Sequence, residues 1–326
     1  MVKRILGFDR SVIVDFLSQF LFQVFFVAKH ICWLIIKGVG VKSLVLKTRQ
    51  GVFKVSTKDD AIGRSLFTKG QFEYDFSVKA LELLRERGFI RADNITLLDV
   101  GANIGIISIG LLRSGMVAHA VAIEPEKRNF ELLLKNIALN RLESQTVCVP
   151  FALGESKTVL TLEISQTNLG DHRIRRADSA AAGKSAREVG SEIEQVNSAP
   201  LDDVIRFPEV DEKNWSFDNA VLWTDVQGYE GYVFNGASKF LSKGMPAVSE
   251  VWPQGILKTG MSLEEFADIV KSKWSDYWVL RGERFIRYPI AMFDRYLDEI
   301  AASDGNVIFT PPPPKLDTLN DRSSAG

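Results

Sequence analysis

The segment Leu98-Asp-Val-Gly-Ala-Asn-Ile-Gly105 decides the fold of this chain of 326 residues. It closes a compact apolar run at 95–100, which indicates a strand buried on both faces of a parallel sheet. Gly101 then allows the backbone to turn sharply, and Gly105 permits a close approach between strand, helix and ligand. A buried strand that turns through glycines into a helix is typical of a corner that binds a nucleoside-like molecule.

The rest of the chain alternates between apolar runs and helical periodicity. The motif Ser262-Leu-Glu-Glu265 is a capping box that predicts the start of one of the helices. Segments 277–281 and 306–310 are expected to form an antiparallel edge. This order of elements predicts an α/β fold with a doubly wound, mostly parallel Rossmann-like sheet. The core strands are predicted at 95–100, 117–123, 146–149, 220–224 and 247–251.

Composition and charge exclude several classes of function. Hydrophobic residues make up 46% of the chain and charged residues 25%, which are ordinary values for a globular protein with a sizeable core. The net charge of −1 gives no basic footprint, so we expect no nucleic-acid partner. Cys32 and Cys148 are expected to be buried free thiols, which fits a reducing, cytoplasmic location. No cluster shows metal-ligand spacing, so we expect no metal.

We divide the chain into an N-terminal segment 1–50, a domain 51–310 with a mobile insert at about 166–194, and a disordered tail 311–326. Within the first segment, residues 12–36 are unusually hydrophobic and carry polar side chains at every fourth position from Asp15 to Gln23. This pattern predicts a mostly apolar amphipathic helix.

Three roles for this helix stay open. It packs on the domain, lies in a membrane surface as a peripheral contact through residues 12–36, or spans the bilayer. Basic residues on both sides of the hydrophobic stretch would suit anionic headgroups. They are Lys3, Arg4, Arg10, Lys37, Lys42, Lys47 and Arg49.

The nature of the ligand follows from two acidic residues near the glycine corner. The corner lacks the third glycine of the dinucleotide fingerprint, and Asp99 would repel a pyrophosphate but attract the ammonium of a methionine moiety. Glu124 ends the next strand, where its carboxylate can accept hydrogen bonds from both ribose hydroxyls. We therefore predict S-adenosylmethionine as the cofactor, bound by Asp99, Gly101, Asn103, Gly105 and Glu124.

These elements resemble the class I methyltransferases, and in detail the FkbM family, over residues 52–251. The resemblance implies a seven-stranded Rossmann-like methyltransferase sheet with an added N-terminal helix. It also implies methyl transfer to a hydroxyl of a small molecule or glycan, such as a sugar, glycolipid or secondary metabolite. Gln227 stands where the family has glutamate, so catalysis should not depend on a charge there. The matching motifs are 98–105, Ala122-Ile-Glu-Pro-Glu126, Asn136 to Asn140, Phe151-Ala-Leu-Gly154, Pro200-Leu-Asp-Asp203, Thr224-Asp-Val-Gln-Gly-Tyr-Glu230 and Gly236-Ala237.

Further site residues are predicted from their places at strand ends. Asp225 should border the reacting methyl group, and Glu230 either points at the same cleft or favours a helix N-terminus. Phe151 and Ala152 are predicted walls for the adenine. His172 is the candidate general base because an unperturbed imidazole, with a pKa of ~6.5, suits proton abstraction at neutral pH. The alternative for His172 is a loop residue with local hydrogen bonds.

Two other functions use the same sheet. An NAD-dependent oxidoreductase could also use Glu124, although Asp99 and the missing glycine disfavour it. A catalytically silent cofactor-binding module is the second alternative. The sequence leaves the acceptor and the oligomeric state open.

Overall fold

The computed structural model describes residues 26–166, 168–175 and 192–312. The elements of the first half are α1 (residues 26–38), β1 (Ser43–Lys47), β2 (Val52–Ser56), α2 (Ile62–Lys69), α3 (Tyr74–Glu86), β3 (Thr96–Val100), α4 (Ile106–Arg113), β4 (His119–Ile123), α5 (Lys127–Asn140), β5 (Thr146–Val149), β6 (Ala152–Leu153) and β7 (Thr158–Ile164). Those of the second half are β8 (Arg173–Arg175), β9 (Glu192–Ala199), α6 (Leu201–Val204), α7 (Pro208–Asp211), β10 (Ala220–Thr224), α8 (Glu230–Gly236), α9 (Ser238–Leu241), β11 (Ala247–Val251), α10 (Pro253–Lys258), α11 (Leu263–Lys273), β12 (Asp276–Arg281), β13 (Arg284–Pro289), α12 (Phe293–Glu299) and β14 (Gly305–Thr310).

The main sheet has the strand order β13-β12-β14-β11-β10-β3-β4-β5. The five strands from β11 to β5 are parallel, and β14 pairs antiparallel with both β11 and β12. This confirms the predicted α/β fold, including the antiparallel edge. The sheet has eight strands rather than the expected seven, because the chain turns after β12 at Gly282, where φ is +61°, and returns as β13.

Both faces of the sheet are covered, which explains the continuous apolar runs of its central strands. All five residues of β3 are buried. Leu97 packs into one hydrophobic core and Leu98 into the core on the opposite face. The predicted capping box is also present, since Ser262 and Glu265 accept hydrogen bonds from each other's backbone N–H at the start of α11.

A second sheet has four strands in the order β6-β9-β7-β8. Its strands come between β5 and β10 in the sequence. The sequence interpretation treated 166–194 as a mobile insert, but β8 and the first residues of β9 lie within that range. Thr167, residues 176–191 and the tail from residue 313 lie outside the described residues. The proposed domain boundaries stay a prediction.

Two asparagines of α5 attach the β1–β2 hairpin to the domain. Asn140 Oδ1 accepts a hydrogen bond from the Val52 N–H at 2.9 Å, and Asn136 Oδ1 accepts one from the Lys54 N–H at 2.6 Å. The Asn136 amide also donates to the carbonyl of Ile104 at 2.9 Å. The same side chain therefore connects the hairpin to the glycine corner.

The N-terminal hydrophobic stretch is described only from residue 26, and residues 12–25 lie outside the described part. Among the helices that the structure describes, none is long and apolar enough to cross a bilayer. Both cysteines are free thiols, as predicted, although Cys32 is exposed and Cys148 is half-buried.

Candidate functional site

A pocket lies beyond the carboxyl ends of β3, β4 and β10. This position is where ligands bind in doubly wound sheets. The pocket wall contains seven of the residues predicted from the sequence, whereas Asp99, Gly105 and Glu230 lie behind it. The seven are Gly101, Asn103, Glu124, Phe151, Ala152, His172 and Asp225.

The glycine corner brings the ends of two strands together. Gly101 has a φ of +81°, and a Cβ at this position would collide with the carbonyl oxygen of Asp225. Gly105 has a φ of +89°, and its Cβ would lie 2.8 Å from a methyl carbon of Leu133. Both positions therefore need glycine. Gly101 allows the end of β3 to contact the end of β10, and Gly105 allows α4 to pack on α5.

Glu124 is held by backbone groups so that it faces the pocket. Its Oε2 accepts a hydrogen bond from the Asn103 N–H, and its Oε1 accepts one from the Glu126 N–H, each at 2.8 Å. Each carboxylate oxygen keeps a second lone pair that a ligand hydroxyl can use. Burial raises the pKa of Glu124 to about 8, and the charges of Glu126 and Asp99 add to the effect.

Asp99 lies in β3 and bonds to the first turns of α4 rather than facing the pocket. Its Oδ2 accepts hydrogen bonds from the Ser108 N–H at 3.1 Å and the Ser108 hydroxyl at 2.5 Å. Burial raises the pKa of Asp99 to about 6. In this position Asp99 joins strand to helix, and its contact with a ligand ammonium stays a prediction.

Asn129 is a pocket residue that the sequence interpretation missed. Its amide donates to the carbonyl of Leu169 at 2.8 Å, and the amide of Asn103 donates to the same carbonyl at 2.9 Å. The Oδ1 of Asn129 is buried and has no partner among the described residues. A buried acceptor without a donor is costly, so this atom favours a ligand that brings a hydroxyl or amino group.

His172 faces the pocket, but its hydrogen bond does not suit a general base. Its Nδ1 accepts the N–H of Ser165 at 3.0 Å, so the neutral ring carries its proton on Nε2. Burial lowers the pKa of His172 and keeps the ring neutral. The ring therefore offers the pocket a hydrogen-bond donor, and the geometry favours an orienting role over proton abstraction.

Asp225 belongs to a pair of carboxyl groups bridged by Gln227. The Gln227 amide donates to Asp225 Oδ1 at 2.7 Å and to Glu250 Oε2 at 2.9 Å. Burial raises the pKa of Asp225, and burial together with the Asp225 charge raises the pKa of Glu250 to about 10. Glu250 is therefore neutral near pH 7, and Asp225 is the member of the pair that lines the pocket.

Glu230 stabilises the turn that carries these groups. It is the first residue of α8, and its Oε1 accepts the N–H groups of Val226 at 3.1 Å and Gly228 at 3.3 Å. Burial raises the pKa of Glu230 to about 7. Of the two predicted roles, the geometry favours the one at the helix N-terminus.

Glu250→Gln is expected to increase the free energy of unfolding at pH 8 by at least ~1 kcal/mol, and less at pH 5. The folded pKa of Glu250 is raised, to about 10, above the ordinary value of 4.5. The stability that this group contributes is therefore complete below pH 4.5 and declines as the pH rises, because unfolding then releases a proton. Urea denaturation at both pH values measures the difference, with exposed Glu264→Gln as the control. Equal changes at both pH values would contradict the pairing.

Within the described residues, no group of three or more His, Cys, Asp or Glu side chains is arranged to hold a metal. Residues 99–271 match the family model described as the methyltransferase FkbM domain. No curated protein matches the sequence.

Several solved structures are similar to this chain. The methyltransferase FkbM from Methylobacillus flagellatus KT shares 15% identity over 77% of this chain and 55% of its own, with a TM-score of 0.41. TYW2 from M. jannaschii, solved in complex with AdoMet, shares 13% identity over 82% of this chain and 84% of its own, with a TM-score of 0.34. The chain thus spans about half the length of the M. flagellatus protein. Because the family match covers more than half of the 326 residues and includes the whole strand-end site from Asp99 to Glu250, the protein belongs to the FkbM methyltransferase domain family.

Proposed function

We propose that the protein transfers a methyl group from S-adenosylmethionine to a hydroxyl oxygen of a small molecule or glycan. The observation that carries the proposal is Glu124, whose two carboxylate oxygens are oriented by backbone N–H groups on the pocket wall. Membership of the family supplies the reaction class. The hydroxyl acceptor is what the resemblance to the family implies, and a carboxyl group on the pocket wall that could take its proton supports it.

The pocket residues fit an adenosine-containing donor. The free lone pairs of Glu124 suit ribose hydroxyls, and the unpartnered Oδ1 of Asn129 suits a further donor group. Phe151 and Ala152 provide an apolar wall for a flat base, and Phe151 is itself fixed by an edge-on contact with Phe207 at 5.1 Å between ring centroids.

S-adenosylmethionine, when bound, supplies a methyl group on a sulfonium, which is already electrophilic. The chain must therefore orient the acceptor hydroxyl and remove its proton as the oxygen–carbon bond forms. We assign proton removal to Asp225, because its raised pKa makes it a stronger base than an ordinary aspartate. The Nε2–H of His172 is assigned to hold the acceptor oxygen by a hydrogen bond.

Calorimetric titration with S-adenosylhomocysteine and with NAD tests the cofactor. We expect micromolar affinity for S-adenosylhomocysteine and no heat with NAD; the reverse pattern would establish the oxidoreductase alternative. Transfer of a labelled methyl group to acceptors in a cell extract then tests activity. Mass spectrometry of the product should locate the label on oxygen. Label on nitrogen or carbon would overturn the hydroxyl assignment, and binding without transfer to any acceptor would favour the silent module.

A further inference from the structure

One face of α1 is apolar and exposed. Val27, Ile31, Leu34 and Ile35 follow the spacing of a single helical face, and their exposed fractions are 54%, 52%, 63% and 57%. Val39, just beyond the helix, is 72% exposed. We call these five residues the apolar patch.

The opposite face of α1 is attached to the domain. Trp33 is fully buried, its ring lies 5.5 Å from that of Phe67, and its indole N–H donates to Asp60 at 3.4 Å. Lys37 forms an ion pair with the same carboxylate at 2.5 Å. These contacts fix the rotation of α1 about its axis. The apolar face, which a surface helix usually packs against its own domain, therefore points away from the domain.

The chain segment that contains the apolar patch is strongly basic. Residues 26–69 contain nine lysine and arginine residues but two acidic ones, in a chain whose net charge is −1. Of the two acids, Asp59 is buried and Asp60 is paired with Lys37. The exposed basic side chains include Lys42, Lys47, Lys58, Arg64 and Lys69.

Charge decides between the two kinds of partner that could cover the patch. A second copy of the chain in a symmetric contact would bring the same excess of positive charge against the first. An anionic bilayer accepts the apolar side chains into its interface and attracts the surrounding lysines and arginines. The combination of an apolar face and a basic segment therefore favours a lipid surface.

The helix that carries the apolar patch contacts a segment that leads into the pocket wall. Asp60, which binds α1, lies two residues before Ile62, and Ile62 begins α2 and lines the pocket. The pocket side of Ile62 faces Gly170, where an added Cβ would lie 3.2 Å from the Ile62 side chain. Helix α1 thus carries the apolar patch on one face and contacts, with its other face, the segment that leads into the pocket wall.

We propose that the apolar patch docks the protein on an anionic lipid bilayer. The pocket then lies at the bilayer surface, and the acceptor hydroxyl belongs to a membrane-resident molecule. This second step rests on the proposed function, whereas the docking itself does not.

Co-sedimentation of the full chain with vesicles tests the docking. We expect binding to vesicles of phosphatidylglycerol and phosphatidylcholine, weaker binding to phosphatidylcholine alone, and loss of binding at high salt. The double variant Leu34→Glu/Ile35→Glu should reduce partition onto the anionic vesicles at least ~10-fold, because two apolar side chains no longer enter the interface. Val159→Glu is the matched control, since Val159 is 57% exposed on β7, outside the patch.

Three outcomes would overturn the proposal: no binding to either vesicle, a double variant that binds like the wild type, or a dimer in light scattering that the double variant dissociates. Thermal unfolding checks that the variants are folded. The assay contains no methyl donor, so its failure leaves the proposed function standing. Vesicle binding without methyl transfer would leave the docking standing and remove the function.

Discussion

Asp225→Asn is expected to lower the rate of methyl transfer by ~10³-fold while leaving the affinity for S-adenosylhomocysteine within about threefold. The asparagine keeps the size of the side chain and a carbonyl oxygen that can accept from Gln227, so the bridge to Glu250 is retained. The amide cannot take the proton of an acceptor hydroxyl. The loss should therefore appear in the chemical step, measured as single-turnover transfer of a labelled methyl group.

His172→Gln is the comparison that separates the two candidate bases. Its amide can still donate into the pocket, so we expect a loss of about 10-fold if the imidazole only orients the acceptor. The hydrogen bond from Ser165 to Nδ1 leaves the neutral ring no free lone pair with which to act as a base. A near-inactive His172→Gln together with an active Asp225→Asn would reverse the assignment.

The pH profile gives an independent reading of the same group. Because the pKa of Asp225 is raised by burial, its carboxylate is protonated at pH values where an ordinary aspartate is ionised. The single-turnover rate should therefore rise with pH, with its inflection above the ordinary aspartate value of 3.8. This inflection should be absent from the residual activity of Asp225→Asn.

The central strands and the glycine corner could be predicted because burial on two faces leaves a continuous apolar run. β3 is buried at every position, and the predicted 220–224 and 247–251 agree with β10 and β11. β9 and β13 alternate or are largely exposed, so their sequences carry no such run. Their pairing depends on partners that no local pattern specifies, and both were missed.

The site divides in the same way. Glu124 and Asp225 could be predicted because parallel strands carry their last residues to one edge of the sheet. Glu250 was not, since its approach to Asp225 depends on the register that pairs Thr224 with Ser249. Asn129 was missed because its position in α5 gives no sign that a loop carbonyl will lie opposite. The role of His172 depends on which of its ring nitrogens accepts a backbone N–H group, and no local sequence pattern indicates that.

Glu124→Gln is expected to weaken the affinity for S-adenosylhomocysteine by ~100-fold, because one of the two oxygens that can accept from ribose hydroxyls is replaced by an amide nitrogen, which cannot accept. The substitution should not unfold the protein. The side-chain oxygen of the glutamine can still accept a hydrogen bond from one of the two backbone N–H groups, of Asn103 or of Glu126. The side-chain nitrogen then faces the other N–H group. Calorimetric titration measures the affinity, and Glu131→Gln, an exposed change on α5, should bind like the wild type. An affinity within threefold of the wild type would remove Glu124 from the cofactor site.

The same variant, although it binds the ligand more weakly, should be more stable than the wild type at high pH. The folded pKa of Glu124 is raised to about 8 from the ordinary 4.5, so its contribution to stability is complete below pH 4.5 and is lost as the pH rises through about 8. Glutamine does not ionise. The free energy of unfolding of Glu124→Gln relative to the wild type should therefore increase between pH 5 and pH 9. A side chain that lowers stability at neutral pH, and whose replacement weakens ligand binding, is one retained for binding rather than for the fold.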